Sequence, residues 1–293
     1  MSTVLVTGAT GFLGEYVIAR LLAGADRVVA FARPASHVAP LAALGVEVRS
    51  GDLGDQAAVR RALAGVDVLV NLTSLGFGHA PTIVAAASNA GLQHAVFVST
   101  TSIYTSLPSA SKPTRVAAEQ AVRSSGLSYT LLRPTMIYGS PRDRNIWRLI
   151  QYLSRWPVVP LVGDGSAQQQ PVFVDDVAQA VVAAMHSEAA RGNEYNLGGG
   201  TRLSFVQLMR EVCRQLGRKV AMIRIPSKAA VAAAYALRQL GLGIRAEQVQ
   251  RLQEDKVFDC SAAQRDLCYT ARAFEVGLAQ ELEWLRRPPP LPS

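Results

Sequence analysis

The run Thr7-Gly8-Ala9-Thr10-Gly11-Phe12-Leu13-Gly14 follows a short valine-containing apolar segment and opens a stretch of helical period. A strand that turns through three glycines into a helix constrains the fold of this chain more than any other feature. Gly8 suits the tight turn, Gly11 lets backbone approach a pyrophosphate, and Gly14 lets helix and strand pack closely. The free amides at the helix start then attract phosphate charge. Glycine triplets also occur in plain turns, and it is the strand-turn-helix setting that marks this one as a dinucleotide site.

The same rhythm continues through the first half of the chain. Apolar segments at 4–7, 27–31, 46–50, 67–71, 95–99 and 129–133 read as strands, and amphipathic segments at 12–22, 40–44, 55–64, 80–90 and 114–124 read as helices. Six strands joined by five crossovers predict an α/β Rossmann fold: a doubly wound parallel sheet whose ligand lies beyond the carboxyl ends of its strands. After Arg133 the pattern changes, with helices expected at 145–155, 204–216, 227–240 and 274–287 and short strands at 194–197 and 220–225. A helix at 174–186 returns its apolar face to the sheet. The expected organisation is a dinucleotide-binding domain over residues 1–140, joined by 171–200, with a smaller interleaved substrate lobe over 141–170 and 201–293.

Composition narrows the partners. The formal net charge of +8 suits an acidic ligand, but the arginines are scattered and no basic run interleaves with aromatics, so nucleic-acid binding is not expected. Charged residues interrupt the apolar stretches too soon for a membrane span, and no leader-like segment precedes the first strand. Cys213, Cys260 and Cys268 lack metal-ligand spacing, as do His37, His79, His94 and His186, so no metal is expected and the thiols read as reduced packing residues. The expectation is a cytoplasmic protein whose tail, from Arg286 through the prolines, frays.

TGATGFLG resembles the fingerprint of the extended and atypical short-chain dehydrogenase/reductases, and the resemblance runs over almost the whole chain. It implies that Gly8, Thr10, Gly11, Phe12, Leu13 and Gly14 hold the pyrophosphate. Asp52 and Leu53 would then meet the adenine, with Asn71, Leu72 and Thr73 beside the cofactor. Residues 132–139 resemble the family's RPxxxYG stretch, which places Pro134 and Met136 near the nicotinamide. Residues 170–178 are similar to its VxVxDVA element, read as a brace in which an aspartate caps a helix. The segment 258–278 resembles the closing stretch of sugar-nucleotide epimerases, with Cys268 where glycine is usual.

The residue closing the second strand selects the dinucleotide, because an acid there binds the ribose hydroxyls of NAD(H) and repels a 2′-phosphate. This chain has Arg33 and no acid, so NADP(H) is the expected cofactor, with NAD(H) the alternative.

Catalysis in the superfamily uses a tyrosine and a lysine four residues later, with a serine or threonine on the substrate carbonyl. Thr100 matches the serine/threonine position, but the following helix aligns Ser111 with the tyrosine and Arg115 with the lysine. An unassisted serine is a far weaker acid than a phenol, and a guanidinium positions a ligand without acting as a base. Tyr104, Tyr138 and Lys112 are the substitutes within reach of the sheet edge. The substrate pocket is expected between residues 76–79, 141–147 and 161–170, where Arg142, Asp143, Arg144 and Asn145 form a polar cluster.

Two readings stand. One is an NADP(H)-dependent oxidoreductase or epimerase-like enzyme for a small carbonyl or alcohol substrate, with Thr100, Tyr104, Ser111 and Arg115 as the candidate catalytic residues and Arg115 also on the ribose. The other, which the altered tyrosine-lysine pair favours, is a non-catalytic NADP(H)-binding module for a protein partner. In that respect the chain resembles NmrA-like regulators and the dinucleotide-binding accessory subunit of respiratory complex I.

Overall fold

The computed structural model describes residues 2–24, 26–230, 251 and 253–286. Seven strands form one sheet: β1 (Thr3–Thr7), β2 (Arg27–Ala32), β3 (Glu47–Ser50), β4 (Val68–Asn71), β5 (His94–Val98), β6 (Tyr129–Pro134) and β7 (Asn193–Leu197). Their order is β3-β2-β1-β4-β5-β6-β7, and every pairing is parallel. The helices are α1 (Phe12–Ala23), α2 (Ala39–Ala43), α3 (Gln56–Ala62), α4 (Ala80–Ala87), α5 (Lys112–Arg123), α6 (Ile146–Arg155), α7 (Val174–His186), α8 (Phe205–Gln215), α9 (Ser261–Leu267) and α10 (Phe274–Arg286).

The strands are apolar on both faces because both faces are covered. Val4, Val6, Val28, Ala30, Val68, Val70, Val96 and Val98 pack on one side with Val17 and Ile18 of α1 and Val177 and Val181 of α7. Leu5, Val29, Phe31, Leu69, Ala95 and Phe97 pack on the other with Val59 of α3, Ile83 of α4 and Val122 of α5. The strand order reverses between β1 and β4, which opens a crevice above β1 where a ligand can enter.

The sheet has seven strands where the alternation of the first half predicts six. The seventh, β7, runs beside β6 with Asn193 opposite Thr130 and Leu197 opposite Pro134. Only Tyr195 and Leu197 of this strand are buried, as befits an edge, and nothing local in such a sequence says which sheet it joins. The remaining strands form short pairs: Ile137–Tyr138 with Val172–Phe173, Val158–Val162 with Ala221–Ile225, and Gln168–Gln169 with Leu203–Ser204. Most of the helix expected at 227–240, and the tail beyond residue 286, lie outside the described residues.

The element at 170–178 is a brace, but not by capping. Phe173 occupies the cap of α7 and no side chain bonds the free amides there. Asp175 instead pairs with Arg20 of α1 and with Arg272, while Asp176 accepts from both the backbone and the guanidinium of Arg272. The carboxylates thereby tie α7 to α1 and to the segment entering α10. Cys268 takes φ of +50° at the end of α9, in the left-handed region that explains why glycine is usual there.

Candidate functional site

The turn after β1 has the geometry its glycines require. Gly8 sits at φ of +72° against the backbone of Leu72 and Thr73, and a Cβ on Gly14 would lie 2.4 Å from the carbonyl oxygens of Gly8 and Ala9. The Gly11 amide donates to the Gly8 carbonyl at 2.9 Å, and Gly11 caps α1 without any side-chain bond, so the first amides of the helix remain for a ligand. Asn71, fully buried, holds the floor: its Oδ1 accepts from Thr7 Oγ1 at 2.7 Å and its Nδ2 donates to the Thr73 carbonyl. A cradle of this shape, closed to side chains and open to phosphate oxygens, fits a dinucleotide.

The other residues expected at the cofactor are placed as follows. Arg33 is exposed just past β2 and makes no side-chain hydrogen bond among the described residues. Asp52 is exposed and its carboxylate accepts from the Gly54 amide at 2.7 Å, while Leu53 packs partly into the core of α3 and α4. The Pro134 carbonyl accepts from Thr101, and Met136 lines the cavity described next.

A cavity of about 860 Å³ is lined by Gly11 and Phe12, by Thr100, Ser102 and Tyr104, and by a far wall of Arg251, Glu254, Asp255, Lys256 and Phe258. Thr100 caps the short turn Thr101–Tyr104, its hydroxyl oxygen accepting from the Ser102 amide, which leaves the O–H to donate into the cavity. The phenol of Tyr104 accepts from Arg133 at 3.1 Å and donates to Asn196, and its ring stacks against Phe258. Arg133 itself is buried with Glu119 and reaches Glu194. Burial opposes its charge, but the hydrogen bonds to Glu119 and Glu194 outweigh that and hold the guanidinium more firmly protonated than usual.

Ser111 precedes α5 and does not line this cavity. Arg115, one turn on, donates to Ser102 Oγ at 2.9 Å and lies against Gly76, beneath the cavity floor. Burial, and then the nearby charge of Arg251, lowers its pKa from the usual arginine value. Two of the substitute residues are committed elsewhere: Tyr138 is fully buried and donates to the Phe274 carbonyl, and Lys112 donates to the Thr105 carbonyl at 2.6 Å. His94 is also a packing residue, held between the hydroxyls of Ser128 and Thr130, and burial lowers its pKa to about 4.

The pocket wall differs from the expectation. Residues 142–145 line it, but residues 76–79 and 161–170 do not, and a further part of the lining comes from Arg251, Glu254, Asp255, Lys256 and Phe258. Arg142 is not an open substrate contact, since it pairs with Glu15 and donates to the Thr10 carbonyl at 2.7 Å, on the glycine turn. Glu254 accepts from the Thr105 hydroxyl and the Ser106 amide, hooking the far wall onto the loop after β5. The sequence signal for this wall was weak, because its residues are nearly 150 positions from those they meet and show no motif.

With that geometry in place, the likeness to known proteins is informative. A family model described as NAD(P)H-binding matches residues 8–188. The chain belongs to that family. It is 32% identical over 252 residues to quinone oxidoreductase 2 of Escherichia coli, covering 82% of each protein. It is 30% identical over 238 residues to the mitochondrial NADH dehydrogenase 1 alpha subcomplex subunit 9 of Arabidopsis thaliana, covering 73% of this chain and 59% of that one. Among solved structures, an NADPH-dependent quinone oxidoreductase from Escherichia coli matches with a TM-score of 0.76 and 25% identity, over 97% of this chain and 100% of that one. The family member described here is an NAD(P)-binding protein of the short-chain dehydrogenase/reductase type, related to oxidoreductases and epimerases. Among the described residues no helix is long and apolar enough to cross a membrane, and no cluster of residues could hold a metal.

Proposed function

We propose that the protein is an NADPH-dependent reductase of a small carbonyl compound. The observation that carries this reading is the shared chamber: the mouth of α1 at Gly11 and Phe12 opens into the same cavity as Thr100 and Tyr104. NADPH, when bound, supplies the hydride. Thr100 orients the substrate oxygen, Arg115 steadies the ribose through its position beneath Ser102, and Tyr104 gives the proton. Arg133 donates to the Tyr104 oxygen, so a positive charge stands where negative charge develops as that proton leaves. Ser111 has no part in this scheme, being off the cavity. The preference for NADPH rests on Arg33, which faces solvent with an uncommitted guanidinium. In this reading residues 1–140 and 171–200 hold the cofactor, and 141–170 and 201–293 shape the substrate end.

Purified protein should bind NADPH and oxidise it, followed by absorbance, in the presence of quinones or other carbonyl compounds. Tyr104→Phe should lower kcat by roughly 100-fold or more while leaving the NADPH dissociation constant unchanged. Tight NADPH binding with no turnover over a broad carbonyl panel favours the second reading, a non-catalytic module for a partner. The position of Ser111 and Arg115 at the start of α5, and the likeness to the mitochondrial subunit, support that alternative.

A further inference from the structure

The short parallel pair of Val158–Val162 and Ala221–Ile225 is covered on one face. Val159 and Leu161 are buried, and Met222, opposite Val159, packs against the core with them. Alternation sends Val158 and Pro160 the other way, with Ala221 opposite Val158 and Ile223 opposite Pro160 in the register. A sheet face that meets water is normally polar. This one is apolar at all four positions, and Ile223 is 55% exposed.

The end of α6 continues the patch. Trp156, 58% exposed, follows the helix, and its ring lies 6.4 Å from that of Tyr152. The Tyr152 phenol donates to the Val158 carbonyl at 3.2 Å, and the Ala221 amide donates to the Pro157 carbonyl, so helix end and strands form one surface.

Cations flank this surface on two sides. On α6, Arg148 and Arg155 stand one turn before and after Tyr152, on the exposed face of the helix. On the strand side, Arg218 and Lys219 share a surface hollow with Met222, just before Ala221. None of these four forms an ion pair among the described residues. The acids that come close are already answered, Glu211 by Arg214 and Asp164 by the amide and hydroxyl of Ser166. Residues 144–163 and 212–230, which build the patch, hold eight lysines and arginines and no acid, as many as the formal excess of +8 over the whole chain.

We propose that this face docks on an anionic lipid surface, with Trp156, Tyr152, Val158 and Ile223 at the boundary of the acyl region and the four cations among the headgroups. A lipid surface offers diffuse negative charge beside an apolar interior, which matches cations placed on both sides of an apolar centre. Tryptophan and tyrosine suit that boundary because each joins an apolar ring to one hydrogen-bonding group. The attachment is peripheral and asks nothing of the cavity, so it stands apart from the reductase reading.

Co-sedimentation of the full chain with vesicles tests this, using phosphatidylcholine alone and phosphatidylcholine with one third phosphatidylglycerol. A cation near an anionic surface contributes about fivefold, so partition onto the anionic vesicles should exceed that onto neutral ones by about tenfold or more. Most of that binding should vanish in ~1 M salt, where the screening length is about 3 Å. Trp156→Ala with Ile223→Ser, and separately Arg218→Gln with Lys219→Gln, should each lower partition about tenfold at the parent's melting temperature. Arg60→Gln with Arg61→Gln takes the same charge from α3, which covers the other face of the sheet, and should leave partition within about twofold of the parent. Absence of binding to the anionic vesicles overturns the proposal, as does equal binding to both vesicle types or equal weakening by the α3 variant. A dimer in sedimentation velocity that Trp156→Ala dissociates also overturns it, because a second copy then covers the face. Should a patch variant melt below the parent, the vesicle and salt comparisons on the parent decide.

Discussion

The two ends of the cavity are built on opposite principles. At the glycine end, one stretch of eight residues supplies turn, helix mouth and ligand amides, and the decisive contacts are backbone to backbone, such as Gly11 to Gly8 at 2.9 Å. At the far end, side chains from separate parts of the chain meet, and the hook between Thr105 and Glu254 spans 149 positions. Backbone recognition suits a ligand shared by a whole family, because phosphate oxygens ask only for amides. Side-chain recognition can change residue by residue, which is how one fold serves many substrates.

The largest expected effect is at the glycine end. Gly14→Val would force a side chain into the carbonyls of Gly8 and Ala9, 2.4 Å away, with only backbone to yield. A cost of about 3 kcal/mol of folding stability follows for so rigid a site, and in whatever protein still folds the displaced turn should weaken NADPH binding, by roughly 100-fold if about 3 kcal/mol of amide-to-phosphate contact is lost. Calorimetric titration checks it, and unchanged affinity would remove the dinucleotide cradle from the account.

The next comes from a buried acid outside the cavity lining, beside Asp143. Glu281 of α10 is completely buried; neither of its oxygens makes a hydrogen bond of good geometry, although the Asp143 carboxyl and the Gly139 amide are its polar neighbours. Burial, and then Asp143, pushes its pKa up to about 10 from 4.5. The folded protein therefore keeps a proton that the unfolded chain releases, so the associated stability is complete below about pH 4.5 and declines as pH rises toward 10. Glu281→Gln escapes that decline. Its unfolding free energy relative to the parent, measured by denaturant titration, should climb between pH 5 and pH 8 by an amount on the order of 2 kcal/mol, below the limit of roughly 1.4 kcal/mol per pH unit. A difference that stays flat with pH would show that Glu281 is ionised in the folded state.

Arg33→Ala sharpens the glycine end. Loss of a charge-assisted contact to the 2′-phosphate should weaken NADPH by about 2 kcal/mol, near 30-fold, and leave NADH almost untouched. Equal weakening of the two nucleotides would remove the case for selectivity. The smallest effect belongs to the far end. Thr105→Val keeps the shape but deletes the hydroxyl that donates to Glu254 at 2.7 Å, and should raise the KM of the carbonyl substrate about fivefold with NADPH affinity unchanged. If NADPH affinity falls with it, the two ends are not independent.

Legibility followed the same division. The glycine turn and the boundaries of α7 agree with the sequence reading, because periodicity and conformational demand are local. Tyr104 and Thr100 were within reach through the strand they follow. The competing roles of Tyr138 and Lys112 were not, since burial against Phe274 and a bond to the Thr105 carbonyl depend on distant packing. Likewise the aspartates of α7 signal a helix start in sequence, whereas their partners Arg20 and Arg272 come from either side of it in the chain.

By itself, then, the sequence determined the parallel α/β sheet, the crevice above β1 and the backbone geometry of the glycine turn, all of which depend on residues close together in the chain. Tertiary structure alone decided that β7 extends the sheet beside β6, that Arg142 reaches back to Thr10, and that Glu254, Asp255, Lys256 and Phe258 join the cavity wall. The reason is physical: backbone conformation is governed by neighbours in sequence, but the meeting of two side chains is governed by how the whole core packs.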